Sequence, residues 1–240
     1  MPMCESCGCS ITPRTGPAEV AVLTRLLADN DVTAAHNRAH FDDWGVLAVN
    51  LMSAPGAGKT ALLEATIPAL RDCRIGVIEG DLETENDAAR IRAHGVPAVQ
   101  ITTGTACHLD AAMVHEALHE MDLRALDLLF VENVGNLVCP AAFDLGQHRN
   151  VVLLSMTEGD DKPAKYPVMF RAADLVLITK TDLAPMLDDF SVERASAALR
   201  RIGSEAPVIN ISARRGEGIE RWLAWLRAER AARHAAAAAG

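Results

Sequence analysis

Membrane-spanning runs are missing from this chain: no apolar stretch in its 240 residues approaches the roughly 18–20 that a bilayer crossing requires. A basic N-terminal region followed by an apolar one is missing too, so no secretory leader is expected. Cations are outnumbered, with 23 Lys and Arg against 32 Asp and Glu and a formal net charge of -9. The isoelectric point is about 5.3. Such a balance argues against non-specific nucleic-acid binding and against an anionic membrane surface, since both draw on clustered positive charge. There is no internal repeat, and the eight histidines form no run. These absences describe a cytoplasmic chain without nucleic-acid or membrane partners. What is present is enough for one sizeable core, because half of the residues are apolar. Six cysteines in a reducing compartment read as metal ligands or packing residues rather than as a disulfide framework.

Residues 1–16 are small, polar and cysteine-rich, and read as a flexible metal-binding tail. Residues 17–43 place Val20, Leu23, Leu26 and Leu27 at helical spacing, which predicts an N-terminal helical extension. From Val46 onward, short apolar runs at 46–52, 75–79, 97–102, 127–132, 151–156, 174–179 and 207–211 alternate with stretches long enough for helices. That pattern predicts an α/β domain over 44–228, with a mainly parallel sheet covered by helices on both faces. Residues 229–240 are alanine-rich and read as a fraying helical tail with no chemistry of its own.

The strand pattern Val46–Met52 runs into Ser53-Ala54-Pro55-Gly56-Ala57-Gly58-Lys59-Thr60, and a helical pattern follows from Ala61. Strand, glycine loop, helix is the setting of a P-loop NTPase. Backbone from Gly56 through Ala57 and Gly58 to Ala61 would cradle phosphate oxygens, Lys59 would meet the β/γ phosphates, and the Thr60 hydroxyl would reach Mg²⁺. Ser53 occupies the first glycine of the usual pattern, where a residue free to take positive φ is favoured. Further on, Thr179-Lys180-Thr181-Asp182 follows an apolar run. A carboxylate at Asp182 can accept from guanine N1–H and its amine, whereas adenine would leave it unpaired. Lys180 can lie over the base. Ser212-Ala213 resembles the loop whose backbone meets guanine O6 in G proteins, which usually read Asn-Lys-x-Asp where this chain has Thr179. GTP is therefore the expected nucleotide, with GDP as product. Two acids at strand ends, Asp81 and Glu132, compete for the magnesium shell and for positioning the nucleophile, with helix capping or solvation as the plainer reading of either. Gly135 would report the γ-phosphate through its backbone.

Soft ligands form two sets. Cys4, Cys7 and Cys9 put three thiols within six residues, enough to wrap one ion. Cys107-His108 falls where a helical pattern begins, a position that would lower a thiol pKa, and Cys139 lies seven residues beyond Glu132. Thiolate with imidazole suits Ni²⁺ or Zn²⁺. Three ligands do not complete a site, so two copies meeting across a two-fold axis are expected to share the metal; isolated packing cysteines are the alternative. His115 with His119, and His36 with His40, are pairs four apart that could chelate an ion, with a wet helix face as the plainer reading, and Cys73 reads as packing.

The chain resembles the hydrogenase nickel-incorporation GTPases, the HypB family. The resemblance is carried by Cys4-x-x-Cys7-Gly8-Cys9, Asn30-Asp31 with Asn37-Arg38, Ser53–Thr60, Gly80-Asp81-Leu82-x-Thr84-x-x-Asp87, Cys107-His108-Leu109-Asp110-Ala111 and the run Glu132-Asn133-Val134-Gly135-Asn136-Leu137-Val138-Cys139-Pro140. It implies a SIMIBI-type G domain that dimerises on GTP binding and hydrolyses GTP slowly. It also implies nickel or zinc on Cys107, His108 and Cys139, and a tight nickel site on the N-terminal cysteines. The implied partners are a small nickel/zinc accessory protein (HypA) and the [NiFe]-hydrogenase large subunit. Other readings are a P-loop small-molecule kinase, a urease-accessory-like GTPase with structural zinc, and a metal buffer with a vestigial G domain.

Overall fold

The computed structural model describes residues 17–82 and 86–239. Seven strands make one sheet: β1 (Leu47–Ser53), β2 (Ile75–Asp81), β3 (Ala98–Thr102), β4 (Leu128–Glu132), β5 (Arg149–Ser155), β6 (Leu175–Thr179) and β7 (Val208–Asn210). They fall on the seven apolar runs. Their order is β3-β2-β4-β1-β5-β6-β7, and every pairing is parallel. A parallel strand reaches its neighbour only through a crossover, which is why helices cover the faces and the strands are apolar on both sides.

Alternate residues of β1 serve opposite faces. Leu47, Val49 and Leu51 pack with Leu62 and Leu63 of α2 (Lys59–Thr66) and with Trp222, Leu223 and Leu226 of α8 (Ile219–Ala239). Ala48 points the other way, toward Phe41 of α1 (Pro17–Asp43) and Val114 and Leu118 of α4 (Ala111–Leu118). Met52 joins Met169 and Phe170 of α6 (Pro167–Arg171) and Leu199 of α7 (Val192–Arg201). Each fully buried valine, leucine, methionine or phenylalanine among these contributes about 1.5–3 kcal/mol. Two short helices, α3 (Asn86–Arg92) and α5 (Lys162–Lys165), complete the covering.

Helix α1 occupies the span expected to be helical and is fastened by polar side chains. Buried Asn37 donates through Nδ2 to the carbonyls of Ala111 (2.9 Å) and Leu145 (3.1 Å), and Asn30 Oδ1 accepts from the Ala111 N–H (2.9 Å). The expected boundary at 228/229 falls inside α8, which continues through it. Residues assigned to an idle tail have structural work: Glu229 accepts from Arg149 Nε (2.6 Å), and Arg233 donates to the carbonyls of Phe41 (3.0 Å) and Val46 (3.1 Å). Among the described residues no helix is long and apolar enough to cross a membrane. The carboxyl ends of β1, β2, β4 and β6 open on one edge of the sheet, where parallel α/β sheets bind ligands.

Candidate functional site

The phosphate loop links β1 to α2. Gly58 caps α2 with φ 100° and ψ 30°, a left-handed conformation that a side chain would strain. Ser53 ends the strand and is fully buried. Its Oγ donates to the Ala54 carbonyl (2.7 Å) and accepts from Lys59 Nζ (3.2 Å). Ser53 has no positive φ to sustain, so the departure from glycine at this position weakens nothing. Lys59 Nζ also stands 3.7 Å from Glu132 Oε1, which accepts from Thr60 Oγ1 at 3.0 Å. These groups border a 390 Å³ cleft that includes Gly56, Asp81 and Gly135.

Glu79 is a site residue without a motif of its own. Its register places it directly beside Glu132 on the neighbouring strand, and both are buried. Burial, then the charge of Glu132, pushes the Glu79 pKa up to about 10. Burial raises Glu132 as well, while Lys59, Glu79 and Thr60 oppose that rise. Two carboxyls side by side away from water resist ionising together, which is why both are pushed up. The only signal of Glu79 in the sequence was an acid inside an apolar strand. Glu79 Oε1 and Glu132 Oε2 are buried without hydrogen-bond partners. The orphaned Glu132 oxygen, on a carboxylate whose other oxygen bonds the Thr60 hydroxyl, makes with that hydroxyl a hard-oxygen donor set that fits a magnesium ion. Asp81 reaches the same cleft from the end of β2, where its Oδ1 accepts from the Leu82 N–H (2.7 Å).

A second cleft, of 240 Å³, shares Gly58 and Ala61 with the first and adds Ala57, Lys180, Asp182 and Ala213. Buried Thr179 donates through Oγ1 to the Ala57 carbonyl at 2.7 Å, supplying the tie to the phosphate loop that the loss of asparagine put in question. Lys180 takes φ 59°, a left-handed conformation that a non-glycine residue adopts at a cost and typically at functional loops. Asp182 Oδ1 accepts from Ser212 Oγ (2.7 Å), and that bond lowers the carboxyl pKa. Ser212 itself is buried and does not line the cleft; its N–H is spent on the Glu217 carbonyl (2.9 Å). It positions Asp182 rather than meeting a ligand as expected.

Cys107 Sγ lies 3.0 Å from Cys139 Sγ and 3.8 Å from His108 Nδ1, and one ligand atom from each residue falls within 4.8 Å of the others. The expected thiol at a helix start is not found. Helix α4 begins at Ala111, and Asp110 caps it by accepting from the Met113 N–H (2.8 Å). Cys107 stands in the preceding turn, outside the reach of the terminal dipole. The hydrogen bond to Cys107 raises the Cys139 pKa, and burial lowers that of His108, whose ring stacks on Phe143 at 3.9 Å.

Asn136 joins this cluster to the phosphate loop, and Asn133 ties the chain next to it to β1 by donating through Nδ2 to Asn50 Oδ1 (3.4 Å). The Asn136 N–H donates to the Ser53 carbonyl (2.8 Å), while its Nδ2 donates to the Cys107 carbonyl (3.2 Å). Asn133 Oδ1 accepts from the Leu109 N–H (3.1 Å). Between them, Gly135 passes so close to the loop that a Cβ would stand 2.7 Å from Pro55 Cα. Cys4, Cys7 and Cys9 lie outside the described residues. Cys73 is half-buried against the core between the sheet, α2 and α8, and burial pushes its thiol up to about 11, as a packing residue should show. His36, His40 and His115, expected on separate wet faces, come together with one nitrogen each within 4.8 Å.

Residues 47–210 match the model of the CobW/HypB/UreG nucleotide-binding domain. The chain is 57% identical over 209 residues to the hydrogenase maturation factor HypB of Azotobacter vinelandii, covering 87% of this chain and 69% of that protein. The crystal structure of HypB from Helicobacter pylori in complex with nickel aligns with a TM-score of 0.80 at 41% identity, over 84% of this chain and 95% of that one. HypB from Archaeoglobus fulgidus aligns with a TM-score of 0.79 at 41% identity, over 85% and 100%.

Proposed function

The chain belongs to the hydrogenase maturation factor HypB family, and on that premise we propose that it is a GTP-hydrolysing metallochaperone that delivers nickel to the [NiFe]-hydrogenase large subunit. Asp182 selects guanine by accepting from N1–H and the C2 amine, Lys180 covers the base, and Ala213 meets O6. The loop from Gly56 to Ala61 takes the phosphates, with Lys59 on the β/γ oxygens. Thr60, Glu132 and Asp81 hold Mg²⁺, which when bound neutralises the developing phosphate charge. Hydrolysis rests on positioning, with no covalent intermediate. Nickel, or zinc in its place, is the cargo of Cys107, His108 and Cys139, and a second copy completes the ligand set when GTP brings two chains together. The N-terminal cysteines are a separate nickel grip. A small accessory protein of the HypA kind is the exchange partner, in the cytoplasm.

The observation that carries this reading is Asn136, bonded to Ser53 at the head of the phosphate loop and to Cys107 in the metal cluster. A rearrangement on either side is felt on the other, which is what coupling between two sites requires. The test is nickel affinity and light scattering with a non-hydrolysable GTP analogue and with GDP. Wild type should show a nucleotide-dependent change in both. Asn136→Ala should bind nucleotide normally and lose most of the change in nickel affinity. Nickel binding in wild type that ignores the nucleotide would overturn the proposal.

A further inference from the structure

We infer that His36, His40 and His115 form a further metal site, one of three imidazoles, that takes a borderline divalent cation such as Zn²⁺ or Ni²⁺ and clips α1 to α4. It does not rest on the nucleotide reading. His36 and His40 stand one turn apart on α1, with Nε2 atoms 3.0 Å apart. At metal–nitrogen distances of about 2.1 Å, two ligands at right angles are separated by about 3.0 Å and two tetrahedral ligands by about 3.4 Å. The pair thus already holds the spacing of ligands to a single ion.

The third imidazole comes from another element, and its tautomer is set. Asn37 is fully buried and spends its amide hydrogens on the carbonyls of Ala111 and Leu145, so its Oδ1 is the atom that faces His115 Nδ1 at 2.9 Å. An amide oxygen only accepts, so His115 Nδ1 carries the hydrogen and Nε2 offers a lone pair. A ligating histidine ordinarily hands its other N–H to an anchored acceptor in this way. The His40 ring is braced as well, stacked on Trp44 at 4.8 Å and 9°. Three imidazoles suit zinc, nickel or copper and leave positions open to water. His119, with its ring 4.9 Å from that of His115, stands beside the cluster.

The test is zinc content of the full chain after equilibrium dialysis at micromolar free Zn²⁺, with thermal unfolding measured alongside. Relative to wild type, His36→Ala/His40→Ala should lose one equivalent of zinc and the rise in Tm that goes with it. Cys107→Ser/Cys139→Ser should keep that rise, and His94→Ala, at an exposed histidine elsewhere, should match wild type throughout. His36 is exposed, so His36→Ala alone carries the test if the double variant misfolds. Zinc content unchanged by the His36 and His40 substitutions, or lowered as much by His94→Ala, overturns the proposal.

Discussion

Asp182 is an anionic acceptor held in place by Ser212, at the mouth of a cleft that adjoins the phosphate loop. A guanine base offers it two donors. Replacing the carboxylate with an amide leaves one acceptor and turns a new donor toward one of them. Hydrogen bonds to charged groups are worth about 1.5–3 kcal/mol, so Asp182→Asn is expected to weaken GTP binding about 10- to 100-fold. Xanthosine triphosphate carries an acceptor at C2 where guanine carries an amine, and its affinity should rise in the same variant. Competition against a fluorescent nucleotide measures both, and unchanged GTP affinity would remove Asp182 from base recognition. Thr179→Val asks a neighbouring question. The Ala57 carbonyl would lose its hydroxyl partner, at an expected cost of about 1–3 kcal/mol in urea denaturation. At this scale the sequence was most readable where chemistry imposes spacing, as in Lys59 with Thr60 or Lys180 with Asp182. It was least readable where a residue acts by register, as Glu79 does beside Glu132.

Elements carry the connection between the two sites. The segment leaving β4 is pressed on the phosphate loop at Gly135, where a methyl group would meet Pro55 Cα at 2.7 Å and Pro55 N at 2.9 Å. Backbone cannot swing aside as a side chain can. Gly135→Ala should therefore displace the segment, costing about 1–3 kcal/mol of stability and lowering nucleotide affinity. Wild-type unfolding and binding in that variant would show the contact to be slack. The other end of the fold is held by α8, through Arg233 and its bonds to the Phe41 and Val46 carbonyls. Arg233→Ala should cost about 1–3 kcal/mol in thermal or urea unfolding; a change near zero would return the alanine-rich tail to the idle role expected of it. The seven strands were legible because a strand buried on both faces leaves a continuous apolar run. The start of α4 was less so: the helical pattern begins at Cys107-His108, and only the Asp110 cap shows that the helix starts further on. Contacts across the fold, such as Asn37 to Leu145, depend on which faces α1 and α4 turn to each other, and periodicity does not specify that.

For the molecule as a whole, the sheet gathers loops from distant parts of the chain at one edge, and the same topology makes His148 a tie between elements. Its Nδ1 accepts from the Ala48 N–H on β1 (2.9 Å), and its Nε2 therefore carries the hydrogen that faces Asp42 Oδ1 of α1 at 3.2 Å. Asp42 is in turn bonded to Arg233 of α8. Burial, followed by the charge of Arg233, lowers the His148 pKa from 6.5 to about 4. The unfolded chain takes up a proton as pH falls through 6.5, while the folded chain refuses it until about 4. The stability that His148 contributes is thus complete above the unfolded value and is lost progressively as pH drops through the folded one. His148→Asn keeps an acceptor for Ala48 and removes the titration. Its urea midpoint should fall less steeply than that of wild type between about pH 6.5 and pH 4, with the two curves running parallel above that window. Carboxylates elsewhere titrate in both proteins and cancel in the difference. Parallel curves through the acidic window as well would mean that His148 is free to protonate in the folded state, and that the bond from Ala48 does not hold the ring neutral.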